Sequence, residues 1–136
     1  MSHHVVFNNE YNVLICKEHQ SAIPSTYVAR HFQEEHDLNL VTRQAIQNYA
    51  FGYTFTEPMD LVYSNEKISP IPYLKIVDGF QCLYEPCTKI YGTIRAVKEH
   101  CRAGHSWKAK DGKRWMETRA QTFYQGNNQR CVSVHL

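Results

Sequence analysis

Two stretches of the chain carry the same frame of apolar positions. In the later one, Phe80 stands ahead of a cysteine, Tyr91 follows a second cysteine, and Val97 lies one helical turn before a histidine. In the earlier stretch Leu14, Ile23 and Val28 hold the corresponding places. The frame predicts a strand hairpin followed by a helix. Lys75-Ile76-Val77 reads as a short strand entering a turn at Asp78-Gly79, and Phe80-Gln81-Cys82 opens the hairpin. Glu85-Pro86 supplies a turn where Pro fixes φ. Thr93 is an N-cap candidate for a helix running to about Arg102. Val97 and His100 then share a face, and Ala103-Gly104 is expected to loosen the helix end. In the earlier stretch Pro24 suits a first helical turn. Ser25 to about Glu35 reads as a helix that carries Val28, His31 and Phe32 inward.

Between the two frames, Leu38, Val41, Ala45, Ile46 and Tyr49 recur with helical period, and Phe51-Gly52-Tyr53 ends the run. Thr56 to Pro72 reads as irregular because Pro58, Pro70 and Pro72 discourage helix and central strand. Its Met59, Leu61, Val62, Tyr63, Ile68, Ile71 and Tyr73 are expected to pack against both frames rather than face water. Beyond the second frame, Trp107 and Trp115 bracket a basic stretch around an Asp111-Gly112 turn. Thr118 to Tyr124 and Arg130 to Leu136 alternate as a hairpin, with Gln125-Gly126-Asn127-Asn128 as its turn. The expected fold class is α+β: two ββα finger-like units, a middle helix with irregular linker, and a C-terminal β-hairpin. The divisions fall at residues 10–38, 39–74, 75–107 and 108–136.

The polar residues set into these frames supply the chemistry. Cys82, Cys87, His100 and His105 have the donor types and spacing of a tetrahedral structural zinc site. A unit this small folds with little core of its own, so metal binding would supply much of its folding free energy. Cys16, His19, His31 and His36 repeat the pattern with His19 where a second cysteine is expected. Exchanging a thiolate for an imidazole takes the formal site charge from neutral to plus one, and weaker affinity is expected. The competing reading of this first set is a decayed finger with ordinary polar histidines. An open catalytic zinc would need three protein ligands and a water, whereas four donors are present with no acid or nucleophile beside them. The expected cofactor is Zn2+, two per chain.

Several pieces resemble the fungal OrsD-like family, named from a protein of the orsellinic acid biosynthesis cluster. They are Ile15-Cys16-Lys17-Glu18, Ile23-Pro24-Ser25, His31-Phe32 with Glu35-His36, Ile71-Pro72-Tyr73-Leu74, Asp78-Gly79-Phe80-Gln81-Cys82, His105-Ser106-Trp107 and Ala120-Gln121-Thr122-Phe123. The resemblance runs from about Tyr11 to the end. It implies a metal-binding fold with two widely spaced finger-like motifs and a fungal origin, and no defined biochemical activity. The family pattern has a cysteine where His19 stands.

At 136 residues, with 43% apolar and 21% charged positions, the chain is ordinary for a small globular protein. No apolar run approaches the ~18 residues of a membrane span, and no signal-peptide core opens the chain. Cys101 and Cys131, outside the finger registers, read as reduced thiols, which fits a nuclear or cytoplasmic address. His3 and His4 read as a frayed terminus.

Charge is unevenly spread. Residues 1–80 hold five Lys/Arg against nine Asp/Glu, a balance of −4; residues 81–136 hold ten against four, +6. The basic half suggests nucleic acid, DNA foremost, as a partner, contacted mainly at phosphates. Its candidate contacts are Arg95, Lys98, Arg102, Lys108, Lys110, Lys113 and Arg114. Thr93, Arg95, Ala96 and Glu99 would be the base-reading positions, a thin set. In the first helix the matching places hold Thr26, Tyr27 and Arg30 among acidic neighbours. The alternative is a protein-interaction scaffold or self-association through the aromatic content. An enzyme is not expected: there is no phosphate-cradling Gly-rich loop and no nucleophile elbow. Neither a small-molecule substrate nor a membrane partner is expected.

Overall fold

A computed structural model describes residues 3–62, 66–124 and 131–135. The chain folds as two compact units, Met1–Val62 with Tyr124–Asn128 and Tyr63–Phe123 with Gln129–Leu136. The middle segment expected to bind both frames is therefore shared out, its first part in one unit and its second part in the other. No helix among the described residues is long and apolar enough to cross a membrane.

In the first unit, β1 (Val5–Asn8), β2 (Val13–Cys16) and β3 (Ser21–Ile23) form an antiparallel sheet in that order. All four residues of the central strand β2 are buried, so it shows no polar alternation. Phe7 faces Leu14, and Leu14 faces Ile23 across the sheet, giving the cross-strand pairs that stabilise it. The pairing extends past β1 to His4, whose carbonyl accepts from the Lys17 amide at 2.9 Å, so this end is held rather than frayed. A 3-10 turn at Ser25–Tyr27 leads into α1 (Val28–Glu34), which buries Val28, His31 and Phe32 as expected. The second helix, α2 (Leu40–Phe51), begins at Asn39, whose side chain accepts from the Thr42 amide at 2.8 Å. Such a cap contributes ~1 kcal/mol. Ile46 and Ala50 reach the core with Phe7, Leu14 and Phe32, while Val41 is 76% exposed.

The second unit is a four-stranded antiparallel sheet built from β4 (Ile76–Cys82), β5 (Ile90–Tyr91), β6 (Trp115–Thr122) and β7 (Cys131–Ser133), ordered β5-β4-β6-β7. Helix α3 (Ile94–His105) follows β5. Thr93 caps it, its hydroxyl accepting from the Ala96 amide at 3.1 Å. Val97, Cys101, Trp107 and Trp115 pack with Cys82, and the two indoles meet edge to face at 5.3 Å. Trp107 Nε1 donates to the Gly112 carbonyl at 2.7 Å, so its buried polar atom is satisfied. Gln121 is fully buried and bonds Ile71 and Leu74 backbone, fastening that loop to the sheet. The C-terminal hairpin forms between β6 and β7, with Ala120 facing Ser133. Its expected turn at 125–128 lies outside the described residues, as does Tyr63.

Four expectations change. Strand β4 runs straight through Asp78-Gly79, where a turn was expected, because Gly79 lets a neighbouring strand come close. A Cβ there would lie 3.0 Å from Ile90 Cγ2 and 3.4 Å from the Tyr91 carbonyl oxygen. Helix α3 does not loosen at Ala103-Gly104; it ends at Ser106, in left-handed backbone at φ 55°, where the Trp107 amide returns to the Cys101 carbonyl. Met59 and Val62 are 90% and 84% exposed, since the short 3-10 turn at Pro58–Asp60 cannot aim every side chain inward; Leu61 and Ile71 are buried. Finally, the hairpins are not free-standing ββα fingers. Strand β1 extends the first hairpin's sheet, and β6 and β7 extend the second's, so each hairpin belongs to a larger antiparallel sheet in an α+β fold.

Candidate metal centres

Each hairpin and the helix that follows it bring one cysteine-histidine set together. In the first unit, Cys16 closes β2, His19 sits in the following turn, His31 lies on α1 and His36 just beyond it. One donor atom from each lies within 4.8 Å of all the others. In the second unit Cys82 closes β4, Cys87 sits in the turn before β5, and His100 and His105 are on α3; their donors also lie within 4.8 Å of one another.

The sulfur–nitrogen distances match one ion per set, and the nitrogen–nitrogen distances are a few tenths of an ångström shorter. Zinc bonds of about 2.0–2.3 Å in tetrahedral geometry put donors roughly 3.3–3.8 Å apart. Cys16 Sγ is 3.4 Å from His36 Nε2, and Cys87 Sγ is 3.4 Å from His100 Nε2. His31 and His36 approach at 3.0 Å through Nε2, and His100 and His105 at 3.2 Å through the same atoms.

The tautomers sharpen this for the first set. His31 Nδ1 is 3.0 Å from Glu35 Oε2, and His36 Nδ1 is 2.7 Å from Glu18 Oε2. An ionised carboxylate only accepts, so each Nδ1 carries the hydrogen, and a ring with no second hydrogen has its lone pair on Nε2. Two such lone pairs facing one another at 3.0 Å repel unless a cation lies between them. Carboxylates behind imidazoles are the arrangement that orients histidines on a metal. Glu35 is itself positioned by the Tyr27 hydroxyl, which donates to it at 3.0 Å. In the second set phenol rings lie beside the histidines. Tyr91 Oη is 3.0 Å from His100 Nδ1, and Tyr84 stacks on His105 at 4.6 Å. The site with one thiolate thus has two carboxylates beside it, and the site with two thiolates has phenols.

Burial sets the protonation of the empty ligands. It pushes the Cys16 thiol up and the Cys82 thiol up to about 12, so a metal must displace their protons. Burial also lowers His31 and His100, keeping those imidazoles neutral and ready to ligate. The His19 amide points at Cys16 Sγ at 3.5 Å, a donor suited to a thiolate.

The family described as Orsellinic acid/F9775 biosynthesis cluster protein D matches residues 3–106. The chain belongs to this OrsD family. No curated protein and no solved structure matches it. All eight donors of the two sets fall inside the matched span, while the basic stretch from Lys108 onward falls outside it.

Three of the seven basic residues singled out in the OrsD-family chain are placed against aromatic rings. Lys98 lies over Trp115 at 5.9 Å, Arg102 over Trp107 at 5.6 Å and Arg114 over Tyr84 at 5.8 Å. Arg95 pairs with Glu99 at 3.3 Å, which couples two of the expected base-reading positions to each other. Lys108, Lys110 and Lys113 are exposed around the 3-10 turn Ala109–Asp111. Sequence reasoning missed Glu18, Glu35, Tyr84 and Tyr91 as partners of the histidines. The His31-x3-Glu35 spacing could have shown one of them, because residues four apart on a helix are neighbours.

Proposed function

We propose that the chain is a zinc-stabilised protein carrying two structural zinc ions, one held by Cys16, His19, His31 and His36 and one by Cys82, Cys87, His100 and His105. The observation that carries this reading is the convergence of four Cys and His donor atoms within 4.8 Å in each set, with carboxylates on the far nitrogens of His31 and His36 in the first. Structural zinc supplies roughly 10–16 kcal/mol of apparent binding free energy in small domains, against a typical net stability of about 5–15 kcal/mol. Thiolate ligands of this kind belong in a reducing compartment, the nucleus or cytoplasm. The role is binding rather than catalysis.

The second unit is proposed to bind nucleic acid, DNA foremost, through phosphate contacts. Lys98 and Arg102 stand one turn apart on α3, and Arg114, Lys108, Lys110 and Lys113 follow in the same unit. Fluorescence anisotropy of duplex DNA and of RNA across a salt series tests this. Affinity should fall steeply with salt, with little preference among sequences; no binding at low salt would remove the reading. A protein-interaction role is favoured by a different observation: the acidic first unit exposes Leu40, Val41, Phe51, Met59 and Val62. Light scattering with and without DNA separates the two, since a dimer indifferent to DNA supports the interaction role.

A further inference from the structure

Within the first set, the four donors are held unequally. Cys16 is fully buried on the central strand, and the His36 side chain is 3% exposed with its Nδ1 on Glu18. His31 is buried on α1 with its Nδ1 on Glu35. His19 is different in each respect. It sits in the turn between β2 and β3, next to Gln20 with its left-handed φ of 57°, and it is only half-buried. Among the described residues its ring has packing contacts with His31 and His36, at 5.1 and 4.5 Å, and no hydrogen bond from either nitrogen. Three imidazole and thiol donors are thus locked by strand, helix and carboxylate, while the fourth rests on a turn.

His19 also lines a cleft. A cavity of about 280 Å³ opens beside the set, walled by His19, His31, Glu35, Tyr27, Tyr124 and Ile23. That volume is near the lower end of ligand pockets, about 300–1,000 Å³, so it fits a fragment-sized molecule. Tyr27 and Tyr124 give it two aromatic walls beside Ser21, Ala22, Ile23 and Pro24, and Tyr124 is fixed in place by donating to the Thr56 carbonyl at 3.1 Å.

We infer that His19 is an exchangeable ligand, and that the first metal centre accepts a small neutral nitrogen heterocycle from this cleft in its place. The inference rests on the metal reading above. Three anchored donors and an open fourth position form the pattern by which a protein-bound zinc takes an outside ligand. When His19 swings out with its turn, it leaves a slot of imidazole size between the metal position and the aromatic walls. Neutral ligands are favoured over anions because Glu18 and Glu35 already place two carboxylates next to the set. The exchange breaks one metal–nitrogen bond and makes another, so it needs no oxidant and no proton donor.

Cobalt substitution tests this in the full chain, using imidazole as the probe, by metal content and visible absorption. Wild type should take up two cobalt ions. His19→Ala should keep both, with weaker site-one absorption as water enters, and millimolar imidazole should restore the tetrahedral spectrum. His36→Ala, which removes an anchored donor, should keep one. In wild type, imidazole should shift the site-one bands and leave the sulfur-to-cobalt bands of the second site unchanged. If His19→Ala falls to one cobalt, or misfolds while imidazole leaves the wild-type spectrum unmoved, this inference is overturned alone. If wild type binds fewer than two cobalt ions, the metal reading fails with it.

Discussion

His31 and His36 meet through Nε2 at 3.0 Å while Glu35 and Glu18 occupy their opposite nitrogens. Two neutral rings so oriented cannot satisfy each other, and a cation between them can. The carboxylates also offset the charge left by having one thiolate. On that argument Glu18→Ala and Glu35→Ala should each weaken metal binding at the first site by about 10–100-fold. The second site should keep its affinity, because among the described residues phenols rather than carboxylates lie beside its histidines. Competition titrations with a zinc indicator would resolve the two sites, and equal losses at both would contradict the assignment.

Metal affinity should rise with pH at both sites. Burial raises the Cys16 and Cys82 thiols above their ordinary range, so near neutrality both are protonated in the metal-free fold. Each proton displaced costs about 1.4 kcal/mol per unit of falling pH, or tenfold in affinity. Lowered His31 and His100 stay neutral across neutral pH and add no proton of their own there. Affinity therefore rises with pH at both sites, as the protons of Cys16 and Cys82 are displaced. Isothermal titration in buffers of differing ionisation heat counts the released protons directly.

Thiol alkylation should report occupancy. With metal bound, Cys16, Cys82 and Cys87 should resist iodoacetamide, and chelation should make them the sites that gain modification. Cys101, fully buried in the second core, should react slowly in both states as long as the fold persists. Peptide mapping by mass spectrometry checks each cysteine separately.

Much of the site was readable from the chain because metal ligation demands particular residue types at particular intervals. The hairpin-helix order and the Thr93 cap were legible for the same local reasons. What failed was information carried by distant partners. Glu18 reaches His36 across the set, which no spacing rule predicts. Asp78-Gly79 has the composition of a turn, but the close approach of Ile90 makes glycine a strand residue there. Strand β1 is too short to stand out until β2 pairs with it. Met59 and Val62 were expected inward on apolarity alone, although folded proteins leave many apolar groups at the surface.

The Gly79 argument gives its own prediction. Gly79→Val should destabilise the second unit by about 1–3 kcal/mol, because Ile90 and the Tyr91 carbonyl must move. Gly92→Ala meets nothing within 4 Å and serves as the control. Thermal melts of the zinc-loaded variants should separate them clearly.

For nucleic acid, replacing Lys108, Lys110 and Lys113 together with alanine should lower affinity for all sequences alike. The slope of log affinity against log salt should fall by about 0.9 per lost phosphate contact. An unchanged slope would place the contacts elsewhere.

The number of metal ions per folded chain bears most directly on the whole account, and native mass spectrometry reads it. Wild type should carry two zinc ions, and Cys82→Ala with Cys87→Ala should carry one, retained at the first site. A chain that folds, melts and disperses light identically with no metal bound would contradict it.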